Sequence, residues 1–78
     1  MHELTLRGEF IELDKLLKAV GLVDSGGQAR ARVAAGEVSV DGQVELRKTA
    51  KIRAGQVVEY AGQRVRVSAA AAGAGRPR

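Results

Sequence analysis

Residues 25–42, SGGQARARVAAGEVSVDG, decide how this chain folds. Ser25 can cap a helix by accepting a backbone N–H on its hydroxyl, and Ala29 and Val33, four apart, give the segment that follows a narrow apolar stripe. That helix is expected over about residues 26–35. Gly36 stops it, since a glycine enters the left-handed conformation with no Cβ to clash. Val38 and Val40 then alternate with Ser39, the period of a half-buried strand, and Asp41-Gly42 turns the chain.

Upstream, Leu13, Leu16, Leu17 and Val20 fall at i, i+3, i+4 and i+7, which predicts an amphipathic helix over residues 11–20 ended by Gly21. Glu12 and Asp14 near its start suit the helix dipole, and Lys15 and Lys18 lie away from the stripe. The short connection over residues 21–25 requires the two helices to lie side by side or crossed. Before them, Leu4 and Leu6 alternate with Thr5 and Arg7, so residues 2–7 read as a short edge strand.

Downstream, a strict two-residue turn at Asp41-Gly42 would set Val40 against Gln43, apolar against polar. Pairing Val40 with Val44 and Val38 with Leu46 removes the mismatch, which predicts an extra residue or bulge near Gln43. Residues 47–53, RKTAKIR, hold four cations and no acid, with Ile52 as their one strong apolar anchor. Such a segment belongs on the surface, and a merely solvated basic loop is the plain alternative to a binding loop. A turn at Gly62-Gln63 would pair Tyr60 with Val65 and Val58 with Val67, with Glu59 opposite Arg66, and makes Tyr60 a packed sheet residue. Residues 1–67 form one domain on this reading. Residues 68–78, rich in Ala and Gly with Arg76 and Arg78, read as a disordered tail.

Composition narrows the function. At 78 residues only about 60% of the unfolded surface is buried on folding, so the core is small and leaves little room for a catalytic pocket. Phe10 and Tyr60 are the only aromatics, and there is no cysteine to form a disulfide or ligate a metal. His2 is the single histidine and has no partner in sequence. Glu12 and Asp14, two apart on a helix, cannot face one another as an acid and base pair. No metal, cofactor, small-molecule substrate or enzymatic step is therefore expected. No apolar run approaches a membrane span or a signal sequence, so the expectation is a cytoplasmic protein without a membrane partner.

The net charge of +4 is unevenly spread. Residues 1–24 carry three basic and five acidic groups, residues 25–67 eight and four. An excess downstream of the first helix, dense in residues 47–53, suits a phosphate backbone. The N–H groups of Gly26 and Gly27 could also receive a phosphate, although Ser25 capping with no ligand explains the same residues. Two aromatics are too few for a reader of splayed single strands.

The order Ser25, Ala29-Arg30, Val33, Gly36, Val38, Val40 and Asp41-Gly42 resembles the S-four RNA-binding domain, also called the alpha-L motif. Leu13-Asp14-Lys15 and Leu17 sit at that family's spacing upstream, and residues 51–55 followed by Val57 resemble its closing strand. The resemblance implies an α+β fold, two helices packed on a small, mainly antiparallel sheet of four to five short strands. It also implies RNA, ribosomal or transfer, as partner of a stand-alone domain; the basic run with few aromatics points to structured RNA read by shape and backbone, and short edge strands suit a monomer. Arg30 matches the family's basic position, whereas Glu12 and Gly26 stand where the family often has arginine. The charge lies instead in Arg47, Lys48, Lys51 and Arg53, so the footprint is expected to shift toward the sheet. The expected contact set is Lys15, Arg30, Arg47, Lys48, Lys51 and Arg53, with Ser25 and Gly26 as backbone phosphate contacts. A basic adaptor for an acidic protein partner is the alternative.

Overall fold

A helix start leaves backbone N–H groups without partners, and in this protein the basic segment supplies them. The computed structural model describes residues 2–69. In it α1 is Leu13–Ala19, shorter at both ends than the helix expected over residues 11–20. Leu13 N–H donates to the Ala50 carbonyl and Asp14 N–H to the Lys48 carbonyl, each at 2.9 Å. Glu12, the N-cap, is extended and makes no side-chain cap bond. Ile11–Glu12 therefore leaves the helix as strand β2 and pairs antiparallel with β5 (Lys51–Ile52), Ile11 opposite Ile52 and Glu12 opposite Lys51.

The second helix, α2 (Gly26–Ala34), begins as expected, with Ser25 Oγ accepting from Gln28 N–H at 3.1 Å. The Gln28 side chain answers by accepting from Asp24 N–H at 2.6 Å, a variant of the capping box. Leu13, Leu16 and Leu17 of α1 are sealed against Ala29 and Val33 of α2 in one apolar cluster. Each leucine so buried contributes about 1.5–3 kcal/mol over an exposed one.

The rest of that cluster comes from a five-stranded sheet of β1 (His2–Thr5), β3 (Val38–Val40), β4 (Gln43–Val44), β6 (Val57–Tyr60) and β7 (Gln63–Ser68). Its order is β1-β7-β6-β3-β4, antiparallel except for the parallel pair of β1 with β7. The α+β architecture is the expected one, with β1 at an edge. Val38, Val58, Val65 and Val67 face inward, and Tyr60 packs half-buried against them. Ser68 closes β7, its carbonyl accepting from Leu6 N–H at 2.8 Å. Of the expected tail, residues 70–78 lie outside the described residues.

Both hairpins correct the expected register. In the first, the turn is a strict two-residue one: Val40 faces Gln43 and Ser39 faces Val44, with no bulge near Gln43. Asp41 and Gly42 both have positive φ, 52° and 85°, the mirror-type turn whose twist suits a hairpin. The turn is also clamped to β6, because Asp41 N–H donates to the Val57 carbonyl at 2.8 Å and the Asp41 carboxylate accepts from Val57 N–H at 2.9 Å. A slip of one residue reverses the faces of a strand, so Val44 and Leu46 turn outward, 59% and 62% exposed.

In the second hairpin the turn is Ala61-Gly62, with φ of 53° and 78°, and not Gly62-Gln63. Tyr60 pairs with Gln63, Val58 with Val65 and Val57 with Arg66. Glu59 meets Arg64, not Arg66, and their side chains bond at 2.9 Å. The two registers differ by a two-residue slip, which keeps the same side chains on the same faces. Apolar alternation cannot separate them. The turn does, since Gly62 takes the second of two positive-φ positions.

Candidate nucleic-acid interface

Several of the expected contact residues meet at the first turn of α1. Residues 48–50 are held there by the bonds from Leu13 and Asp14, which bring Lys48 beside the turn that carries Lys15. Arg30 arrives from α2, its Nη1 3.7 Å from Asp14 Oδ2. Asp14 is buried, 6% exposed, and its Oδ1 accepts from Lys15 N–H at 2.8 Å. Gly26 clears the path of the arginine: a Cβ there would stand 3.2 Å from Arg30 Nη1. Ser25 and Gly26 thus serve the cap of α2 and the course of Arg30.

The cations differ in what they touch. Lys15 Nζ lies 3.2 Å from Glu12 Oε1, Arg32 Nη1 3.5 Å from Glu37 Oε2, and Arg47 Nε 3.2 Å from Glu45 Oε2. Arg47 N–H donates to the same Glu45 oxygen at 3.0 Å. The hydrogen bond from the Arg47 side chain, then that from its backbone, hold the Glu45 carboxyl below the ordinary glutamate range, and Glu45 raises Arg47 in turn. Exposed ion pairs of this kind are weak, screened by solvent and salt, so Lys15 and Arg47 can exchange a carboxylate for a phosphate at small cost.

Lys48, Lys51 and Arg53 make no ion pair among the described residues, and all three are exposed. Lys51 and Arg53 stand instead over Phe10, with Lys51 Nζ 5.0 Å and Arg53 Cζ 5.8 Å from the ring centroid. Between Arg47 and Lys51 the surface forms a shallow concavity of about 360 Å³ that Thr49 and Ala50 complete. The basic run therefore divides. Its first arginine leans on Glu45, Lys48 borders α1, and its last two cations border Phe10.

A model of the S4 domain family matches residues 4–68. The chain belongs to the S4 domain family. It is 52% identical over 59 residues, 76% of this chain and 84% of the relative, to "Putative RNA-binding protein YbcJ" of Escherichia coli (strain K12). The YbcJ protein of Shigella flexneri matches to the same extent. The solution structure of E. coli YbcJ, described as revealing an alfaL motif involved in RNA-binding, is similar at a TM-score of 0.69 and 46% identity over 87% of each chain. The resemblance read from residues 10–60 is thus the family of this S4 domain.

Two residues escaped the sequence reading. The sequence shows Asp14 as an acid near a helix start within the Leu13-Asp14-Lys15 motif, whereas in the fold it is the buried partner of Arg30. Its signal was the conjunction of an acid beside Leu13 with a glycine pair one helix away. Phe10 was an aromatic without a role, and only the pairing of β2 with β5 brings the alternating cations 51 and 53 to its ring. Among the described residues no three His, Cys, Asp or Glu side chains gather as a metal site, and no helix is long and apolar enough to cross a membrane.

Proposed function

We propose that this S4 domain binds structured RNA, without a catalytic step, by phosphate-backbone and shape contacts centred on the first turn of α1 and the basic segment wrapped around it. The observation that carries this reading is the set of exposed, carboxylate-free cations Lys48, Lys51 and Arg53 on a segment pinned to α1 by backbone hydrogen bonds. Lys15 and Arg30 extend the positive surface along the helices, and Arg47 joins by leaving Glu45. Ser25 acts by capping α2, which carries Arg30, and Gly26 by leaving the Arg30 side chain its course. Such a surface releases counterions as phosphates bind, so affinity falls steeply with salt.

The test is binding of a fluorescently labelled RNA hairpin by anisotropy across a salt series, with wild type and the Lys48→Glu/Lys51→Glu double variant. Wild type is expected to bind with a steep salt slope, and the folded double variant to lose retention at moderate salt. Equal binding by the two would overturn the reading. A second reading, a protein adaptor, draws on exposed Val44 and Leu46 at the β4 edge beside Arg47. Partners that survive nuclease treatment in a pull-down favour it.

A further inference from the structure

We infer that Phe10, Lys51 and Arg53 form a subsite for one unpaired nucleotide, the base stacking on the Phe10 ring and the flanking phosphates taking the two cations. This rests on the RNA-binding reading and adds to it a contact made by a base. Phe10 is 40% exposed, an unusual position for an aromatic ring in a chain with so small a core. The ring borders an open groove of about 460 Å³, walled by Leu4, Leu6 and Ile11 with Arg7 among its lining residues. Its walls are apolar, Arg7 stands at its margin, and Phe10 links it to the two cations over the ring, a setting that suits a flat base with its phosphates near Lys51 and Arg53.

The antiparallel pairing makes the arrangement. Ile11 and Ile52 face each other, and Ile52 is buried, so the residues on either side of them in the two strands project to the outer face. That face carries Glu12 of β2 and Lys51 of β5, with Phe10 just before β2 and Arg53 just after β5. Glu12 is engaged by Lys15 at 3.2 Å, which leaves both cations to the ring. A cation held over an aromatic face is attracted by the ring quadrupole only modestly at an exposed site. A phosphate is the stronger partner for it. As phosphates draw Lys51 and Arg53 aside, the face they vacate accepts the base, which presents a π-surface whatever its identity. Unpaired bases in bulges and loops of structured RNA are available for such stacking, and paired bases are not.

The probes are an RNA hairpin with a single bulged 2-aminopurine and a fully paired hairpin with the same number of phosphates, each closed by a non-nucleotide linker so that no loop base is unpaired, titrated by anisotropy with 2-aminopurine fluorescence read in parallel. Wild type is expected to prefer the bulged hairpin, on the order of 5- to 100-fold, and to change the fluorescence of the bulged base. Phe10→Leu, which keeps the apolar cover, is expected to lose both the preference and the fluorescence change while keeping its affinity for the paired hairpin. Phe10→Tyr retains the ring and should retain both, while the unchanged affinity of Phe10→Leu for the paired hairpin shows that the leucine variant is folded. Equal binding of the two hairpins by wild type, or a preference that survives in Phe10→Leu, overturns the subsite and leaves the RNA reading standing. Binding of neither hairpin overturns both.

Discussion

Arg47 and Lys51 lie in the same basic run, yet one is tied to Glu45 at 3.2 Å and the other rests over an aromatic ring at 5.0 Å with no carboxylate. The β4 side of the segment balances its charge locally. The β5 side does not, because the strand it pairs with brings Phe10, and the acid opposite Lys51, Glu12, is already shared with Lys15. Charge density in the sequence is thus a poor guide to available charge. What decides is whether the fold delivers a free acid to each cation.

Reversal at both Lys48 and Lys51 should give the largest effect, a loss of RNA affinity on the order of a hundredfold at moderate salt, with the log–log salt slope reduced by about two or more. Circular dichroism should show the fold unchanged. Next, Ile52→Ala tests whether the β5 side depends on its anchor, buried at 1% exposure. Urea unfolding is expected to show a loss of about 2–4 kcal/mol, and a loss below 1 kcal/mol would mean that the segment is held by its backbone bonds alone.

The contrast itself is tested by single neutral variants. Lys51→Gln should lower the salt slope by about one, and Arg47→Gln by distinctly less, since Arg47 must first leave Glu45. Equal slopes would break the comparison. Replacing Ser25 with Ala should cost about 1 kcal/mol by thermal or urea unfolding, through the lost cap on Gln28 N–H.

The smallest effect belongs to the Glu45–Arg47 pair. Because the Glu45 carboxyl is lowered in the folded protein, its contribution to stability is present above the ordinary glutamate range and is lost as pH falls through the lowered value. Arg47 stays charged throughout that window. Carboxyl-carbon NMR should place the midpoint of Glu45 below that of an unpaired glutamate. Arg47→Gln should move it back toward the ordinary range but not all the way, because the backbone N–H of residue 47 still donates to the carboxylate, with little change in unfolding midpoint at neutral pH.

The helical half was the more legible part of the chain. Ser25, Ala29, Val33 and Gly36 define α2 by cap, stripe and stop, all interactions within a few residues. The sheet was less so. Val44 and Leu46 look like core partners of Val38 and Val40 until Asp41 is seen clamped to Val57, sixteen residues away. The turn of the second hairpin escaped because a two-residue slip keeps every valine on its proper face.

By itself, the sequence determined two amphipathic helices with the cap of the second, an aliphatic core, a dense basic run and the resemblance that led to the S4 domain family, since each is written in local spacing and residue type. Tertiary structure alone decided that residues 48–50 cap α1, that Asp14 holds Arg30, and that Lys51 and Arg53 flank Phe10. Those contacts depend on which strand lies beside which, and the pairing of β2 with β5 joins segments some forty residues apart that no local pattern connects.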